Sequence, residues 1–131
     1  MLGTREPHVY GTVTLAAVDE ALARAAGERG LAVRCDQTNH EGALIDAILD
    51  ARGAVGIILN AGAYAHTSLA IADAVRAIAP VPVVEVHLTN TVARGRLEAV
   101  VGAACVGRIE GFGAHGYVLA LEAIDRIRQR S

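Results

Sequence analysis

Val55-Gly-Ile-Ile-Leu-Asn60 (VGIILN) is a continuous apolar run that ends on an amide. With apolar residues at successive positions it has no polar face. It therefore predicts a strand buried on both faces, as in a parallel sheet covered by helices above and below. On one side of it, Glu41 to Arg52 carries Leu44, Ile45, Ile48 and Leu49 at helical spacing. On the other, Thr67 to Ala79 predicts a helix, and Val81 to His87 (VPVVEVH) a second buried strand. Further out, Thr12 or Thr14 is placed to cap a helix running to about Arg29. Leu15, Val18, Leu22 and Ala25 give that helix its apolar stripe, and Gly30 stops it. Leu31 to Asp36 reads as a short strand, a further strand falls near Cys105 to Glu110, and a last helix runs from about Ala114 to Arg130. Arg126, Arg128 and Arg130 suit the negative end of that helix. Strand and helix alternate, so the predicted class is α/β: a doubly wound parallel sheet in a single domain over residues 1–131.

The opening stretch fits this pattern poorly. Met1 to Gly11 (MLGTREPHVYG) has neither a helical nor a strand period, and Gly3 and Gly11 bracket a Pro, an Arg and a Glu. It reads as a loop. A doubly wound domain would place a strand before such a loop, so the first strand is expected to be missing.

Composition narrows the function. A chain of 131 residues that is 53% hydrophobic has enough apolar mass for one packed core. No apolar run approaches the roughly 18 residues of a membrane span, and no signal peptide is visible. A net charge of -2 offers no basic field to nucleic acid. The two cysteines, Cys35 and Cys105, read as small apolar residues of a cytoplasmic protein rather than a disulfide framework. Lysine is absent, and all twelve basic residues are arginine. That excludes Schiff-base chemistry, P-loop phosphoryl transfer and pyridoxal attachment through an internal lysine.

In open α/β sheets, ligands bind beyond the carboxyl ends of the strands. Gln37, Asn39 and His40 follow the Leu31 strand. Asn60, Tyr64 and His66 follow VGIILN, within NAGAYAHTS. His87, Thr89 and Asn90 end the Val81 strand, within EVHLTN, and GFGAHG follows the last strand. All four ends thus bring amides, imidazoles and hydroxyls to one edge. The Gly111-Phe-Gly-Ala-His-Gly116 pattern matches a dinucleotide fingerprint, but only fifteen residues follow it. No second strand or ribose-binding acid fits there, so the glycines are read as permitting close strand–helix packing. Zinc held by His40, His66 and His87 would lack any tight ligand pairing, and no G-x-S-x-G elbow is present. The groups that remain suit a small hydroxylated carboxylate. Asn60, His66 and Thr89 supply hydrogen bonds, and the backbone at Leu88 and Thr89 can hold an anion. Glu85 lies two residues before His87 and so shares its strand face. A carboxylate so placed fixes the imidazole tautomer and favours its protonated form, as a general acid requires. Arg5 and Tyr10 share the opening loop, where an arginine favours a tyrosinate base. Base and acid acting on adjacent carbons eliminate water.

LGTREP-x-x-YG, QTNHEG, NAGAYAHTS, EVHLTN and GFGAHGY stand in the order and near-spacing of type II 3-dehydroquinate dehydratases, and the chain resembles that family over essentially its whole length. The resemblance implies a flavodoxin-like fold in a cytoplasmic homo-oligomer, a dodecamer of trimers. It implies a lyase that dehydrates 3-dehydroquinate to 3-dehydroshikimate without metal or cofactor, in the shikimate pathway or in quinate breakdown. Carried over by position, Tyr10 resembles the base at C2, Arg5 its activator and Arg94 a helper. His87 resembles the acid that protonates the leaving C1 hydroxyl, oriented by Glu85. Asn60, His66, Leu88 and Thr89 resemble substrate contacts, and Asp73 an acid reaching a neighbouring subunit's site. The family's first strand and its N-G-P-N-L-N loop have no counterpart here. Val92 and Gly95 replace a family histidine and glutamate. With a two-residue gap before GFG, Arg96 takes the place of the family's substrate-hydroxyl arginine; without the gap, Glu98 does. The reading takes Arg96. These departures motivate a rival reading: a catalytically impaired relative that binds a ligand or serves assembly.

Overall fold

The computed structural model describes residues 8–11, 16–93, 95 and 98–130, with residues 8–11, 16 and 17 described through their backbone alone. Nine principal elements follow one another: β1 (His8–Gly11), α1 (Ala16–Gly27), β2 (Ala32–Cys35), α2 (Glu41–Asp50), β3 (Gly56–Leu59), α3 (Leu69–Ala77), β4 (Val83–His87), β5 (Gly107–Glu110) and α4 (His115–Gln129). The strands form one sheet in the order β2-β1-β3-β4-β5, and every pairing is parallel. This is the doubly wound order of flavodoxin-like folds. Among the described residues no helix is long and apolar enough to cross a membrane.

VGIILN becomes β3, buried along its whole length in the middle of the sheet. Its alternate side chains divide between two cores. Ile57 and Leu59 pack with Leu44, Ile48, Ile71 and Val75 beneath α2 and α3. Ile58 packs with Leu22, Leu121 and Ile124 beneath α1 and α4. Strand β4 continues the division: Val83 belongs to the α2/α3 core, Val84 and Val86 to the α1/α4 core. By the same alternation Glu85 and His87 fall on the α2/α3 face.

The expected boundaries differ from the observed ones by a few residues at most. Gly30, at φ 69°, ends the α1 turn in the left-handed region that glycine adopts without strain. Helix α3 starts later than Thr67 because Ser68 is the cap: its Oγ accepts a 3.0 Å bond from the Ile71 amide. Leu15, in the predicted α1 stripe, and the caps Thr12 and Thr14 lie outside the described residues.

The opening stretch requires a correction. It is not wholly a loop, and the slot of the first strand is not empty. His8–Gly11 forms β1 between β2 and β3, with Val9 opposite Val33 and Gly56, and Tyr10 opposite Arg34 and Ile57. Four residues are too few to show a period, but Val and Tyr favour extended backbone. Leaving this slot empty would expose unpaired edges on both neighbours. Tertiary pairing therefore decides the conformation.

In the glycine-rich turn after β5 the expected close strand–helix packing is found at Gly116 alone, while Gly111 and Gly113 serve the backbone of the turn. Gly111 and Gly113 sit at φ 90° and 57°, and a methyl on Gly116 would lie 3.2 Å from Val86 Cγ1. The tightest approach is at Gly56, where a Cβ would stand 2.5 Å from Cγ2 of the fully buried Ile124. Gly56→Ala is expected to overpack the α4–β3 contact and lower stability by about 1–3 kcal/mol. In urea denaturation this appears as a lower midpoint at unchanged slope.

Candidate active site

Parallel strands bring their carboxyl ends to one edge, and a pocket of about 340 Å³ opens there. Asn60, Gly62, Ala63, His66, His87, Leu88, Thr89 and Thr91 line it. Five residues expected to contact substrate or transfer a proton thus converge: Asn60 from the end of β3, His66 from the short helical turn Gly62–His66, and His87, Leu88 and Thr89 from the end of β4. The volume suits a small metabolite. A second hollow of about 320 Å³ adjoins it, sharing Asn60, Gly62 and Ala63, and is lined otherwise by Gln37 to His40, Leu44, Ala61 and Tyr64. His40 therefore stands in the neighbouring hollow, apart from His66 and His87.

Several of these polar groups are fixed from behind. Asn60 Nδ2 donates to the Tyr117 hydroxyl at 2.9 Å, and its Oδ1 accepts from the Gly62 amide at 3.0 Å. Burial, the larger influence, raises the Tyr117 pKa, so that hydroxyl stays protonated. The Glu98 carbonyl lies 2.6 Å from His66 Nδ1 and can only accept, so Nδ1 carries a proton toward it. The His66 and His87 rings stack with centroids 5.9 Å apart. The Leu88 carbonyl accepts from Gly113, and that of His87 from Gly111, which ties the end of β4 to the turn after β5.

Behind His87 lies a charged cluster. The Glu85 side chain is fully buried, with Oε1 3.4 Å from His87 Nε2 and 2.8 Å from Arg108 Nε. Both are ion-pair contacts without aligned hydrogen bonds, for these atoms have no hydrogen-bond partner among the described residues. Arg108 Nη2 in turn lies 2.8 Å from Glu110 Oε2. Glu110 Oε1 accepts from the Thr91 hydroxyl at 2.5 Å and the Thr91 amide at 2.8 Å. Burial opposes charge on Glu110, but the two Thr91 bonds, Arg108 and His87 together outweigh it and hold its carboxyl below the usual range. Gly102 leaves room for the cluster: a Cβ there would stand 2.8 Å from Arg108 Cδ and 2.9 Å from Glu85 Oε1.

The sequence reading missed Arg108, Glu110, Thr91 and Tyr117. A signal for the first two existed. Gly-Arg-Ile-Glu alternates charge at the same period as Glu-Val-His on the preceding strand, and two such strands side by side make complementary pairs. Other expected residues stand elsewhere. Asp73 is well exposed on α3, 3.6 Å from Arg76, away from this pocket. Arg5, Arg94 and Arg96 lie outside the described residues. The Tyr10 backbone is in β1 instead of the expected opening loop. It is level with Ile57, hence with Val83, four residues before His87. At about 3.3 Å per residue it lies roughly 13 Å below His87 along the strands. Both cysteines are free, as expected, but they are only partly buried. Burial first, then Asp19, pushes the Cys35 thiol up to about 12. Burial first, then Glu85, does the same to Cys105.

The chain matches the family model described as dehydroquinase class II over residues 1–125. A 3-dehydroquinate dehydratase of Ruegeria pomeroyi is 53% identical over 127 residues, covering 95% of this chain and 85% of that protein. One from Mesorhizobium japonicum is 51% identical, covering 94% and 88%. Among solved structures, the type II dehydroquinase of Butyrivibrio crossotus superposes with a TM-score of 0.82 at 29% identity, covering 90% of this chain and 94% of that one. That of Propionibacterium acnes gives 0.81 at 30%, covering 94% and 99%.

The lowered Glu110 pKa has a consequence for stability. A carboxyl with a depressed folded value stabilises above its unfolded pKa, near 4.5, and loses that contribution as pH falls through the folded value. Glu110→Gln is therefore expected to lower stability at neutral pH and to flatten its decline in acid. Thermal unfolding from pH 7 to pH 3 reads both; parallel curves for the two proteins would contradict the linkage.

Proposed function

Because the chain belongs to the class II dehydroquinases, we propose that it dehydrates 3-dehydroquinate to 3-dehydroshikimate, with His87 as the acid. The observation that carries this reading is the buried Glu85–His87 pair set at the wall of a metabolite-sized pocket. A general acid needs an imidazole held in one orientation with a carboxylate behind it and substrate in front. His87 gives its proton to the departing C1 hydroxyl, which leaves as water. Asn60 lies where it can contact the hydroxyl region, His66 offers Nε2 to a substrate hydroxyl, and the backbone at Leu88 and Thr89 meets the carboxylate. The C2 proton goes to Tyr10 as tyrosinate, with Arg5 stabilising its charge and Arg96 holding a ring hydroxyl. These last roles rest on the family resemblance alone. The reading extends to a homo-oligomer, a dodecamer of trimers in the cytoplasm, with Asp73 reaching the site of a neighbouring subunit.

One observation favours a second reading. For Tyr10 to act, His8–Gly11 has to leave β1 and reach the pocket, since its backbone lies low in the sheet. A chain in which it stays there would bind the substrate without converting it.

Turnover of 3-dehydroquinate, followed by the absorbance of the conjugated enone, separates the two. The dehydratase reading expects conversion, a loss of about 100-fold or more in kcat for His87→Gln, and no turnover by a folded Tyr10→Phe variant. Wild-type turnover in Y10F removes the tyrosine as base. Binding without conversion by the unaltered chain establishes the second reading.

A further inference from the structure

Resting on the dehydratase reading, we propose that Arg108 is a positioning residue for its acid. It divides one positive charge between Glu85 and Glu110, so that His87 faces a fixed carboxylate and an otherwise neutralised pair.

Strands β4 and β5 pair with Glu85 opposite Arg108 and His87 opposite Glu110. Alternate residues share a face, so the four side chains form a two-by-two block on the α2/α3 side. Within it Arg108 spans both carboxylates, 2.8 Å from each. A guanidinium can do this because its donors lie in a rigid planar fork; a lysine ammonium is a single point. Arg108 does not line the pocket, and neither do Glu85 and Glu110. Its effect on chemistry therefore passes through His87. The same Nη2 approaches the Thr91 hydroxyl at 3.4 Å, and Thr91 does line the pocket.

The charge around His87 can be followed group by group. Glu85 faces it from its own strand, Glu110 and Arg108 face it from β5, and His66 stacks on it from the turn after β3. Cys105, beside Glu85 and Arg108, is pushed up to about 12 and so stays neutral. Removing Arg108 would leave His87 between two carboxylates with their only described cation gone. The imidazolium would then hold its proton too firmly to give it up, and Glu85 would lose the contact that orients it.

The test uses Arg108→Met, Arg108→Lys, Glu110→Gln and the double variant R108M/E110Q. The His87 imidazole titration is read by NMR in the resting protein, its signal identified by its loss in His87→Gln. R108M is expected to titrate at higher pH than the unaltered protein, E110Q at lower pH, and the double variant to return toward the original curve. R108K is expected to recover the curve in large part but not kcat, because a point charge cannot span both carboxylates. In turnover, R108M is expected to lose about tenfold or more in kcat with KM held within about twofold. A folded R108M whose curve and kcat match the unaltered protein overturns the proposal, as does a double variant that fails to return. Should R108M not fold, an unmoved curve in E110Q overturns it. The titration needs no turnover, so inactivity of the unaltered chain counts against the dehydratase reading and leaves this result interpretable.

Discussion

A carboxylate with no exposure to water occupies the middle of β4 at Glu85, and the architecture of the sheet's carboxyl edge follows from the need to accommodate it. Burying such a charge carries a desolvation penalty of several kcal/mol unless a partner of opposite sign is at hand. A permanent partner cannot come from β4 itself, whose remaining residues are valines and His87, which is a cation only when protonated. It comes from the adjacent strand, because parallel register sets Arg108 opposite Glu85. Arg108 needs space, which Gly102 leaves, and a second carboxylate, which Glu110 supplies. Glu110 in turn holds Thr91, and with it the start of the segment after β4. One buried charge thus links two strands, a turn and a pocket wall, with His87 at the end of the chain of contacts.

Most of the scaffold was legible because it is written in local patterns. An unbroken apolar run such as VGIILN has few ways to be buried, and stripes such as Leu44 and Ile48 declare a helix face within a few residues. The shared edge of Asn60, His66, His87 and Thr89 was legible for a related reason: in a parallel sheet, whatever follows a strand lies at the same end. Arg108 and Glu110 were harder to see. Each looks like an ordinary surface charge on a four-residue strand. Their meaning appears only when β5 is set beside β4 in the right register, since a slip of one residue would turn both to the opposite face.

The opening stretch shows the opposite limit, a segment whose local signal is weaker than the demand placed on it. His8–Gly11 reads as part of a loop because Pro and Gly flank it. It becomes a strand because β2 and β3 each need a partner along their inner edges. Pairing on both sides completes what the short extended preference of Val9 and Tyr10 only begins.

This creates a conflict between folding and chemistry at Tyr10. As part of β1 it belongs to two ladders at once; as the base of an elimination it would have to stand beside the pocket, about 13 Å further along the sheet. One backbone position cannot satisfy both. Withdrawing β1 to free the tyrosine would leave the inner edges of β2 and β3 unpaired, at a cost that a single substrate contact does not offset. The conflict disappears if any other strand takes the slot between β2 and β3, because His8–Gly11 is then released without leaving an edge exposed. The proposed acid half of the site has no such dependence. Glu85, His87, Arg108 and Glu110 are brought together by the β4–β5 register, with no contribution from β1, so the proposed acid can be in place whichever strand fills the centre of the sheet.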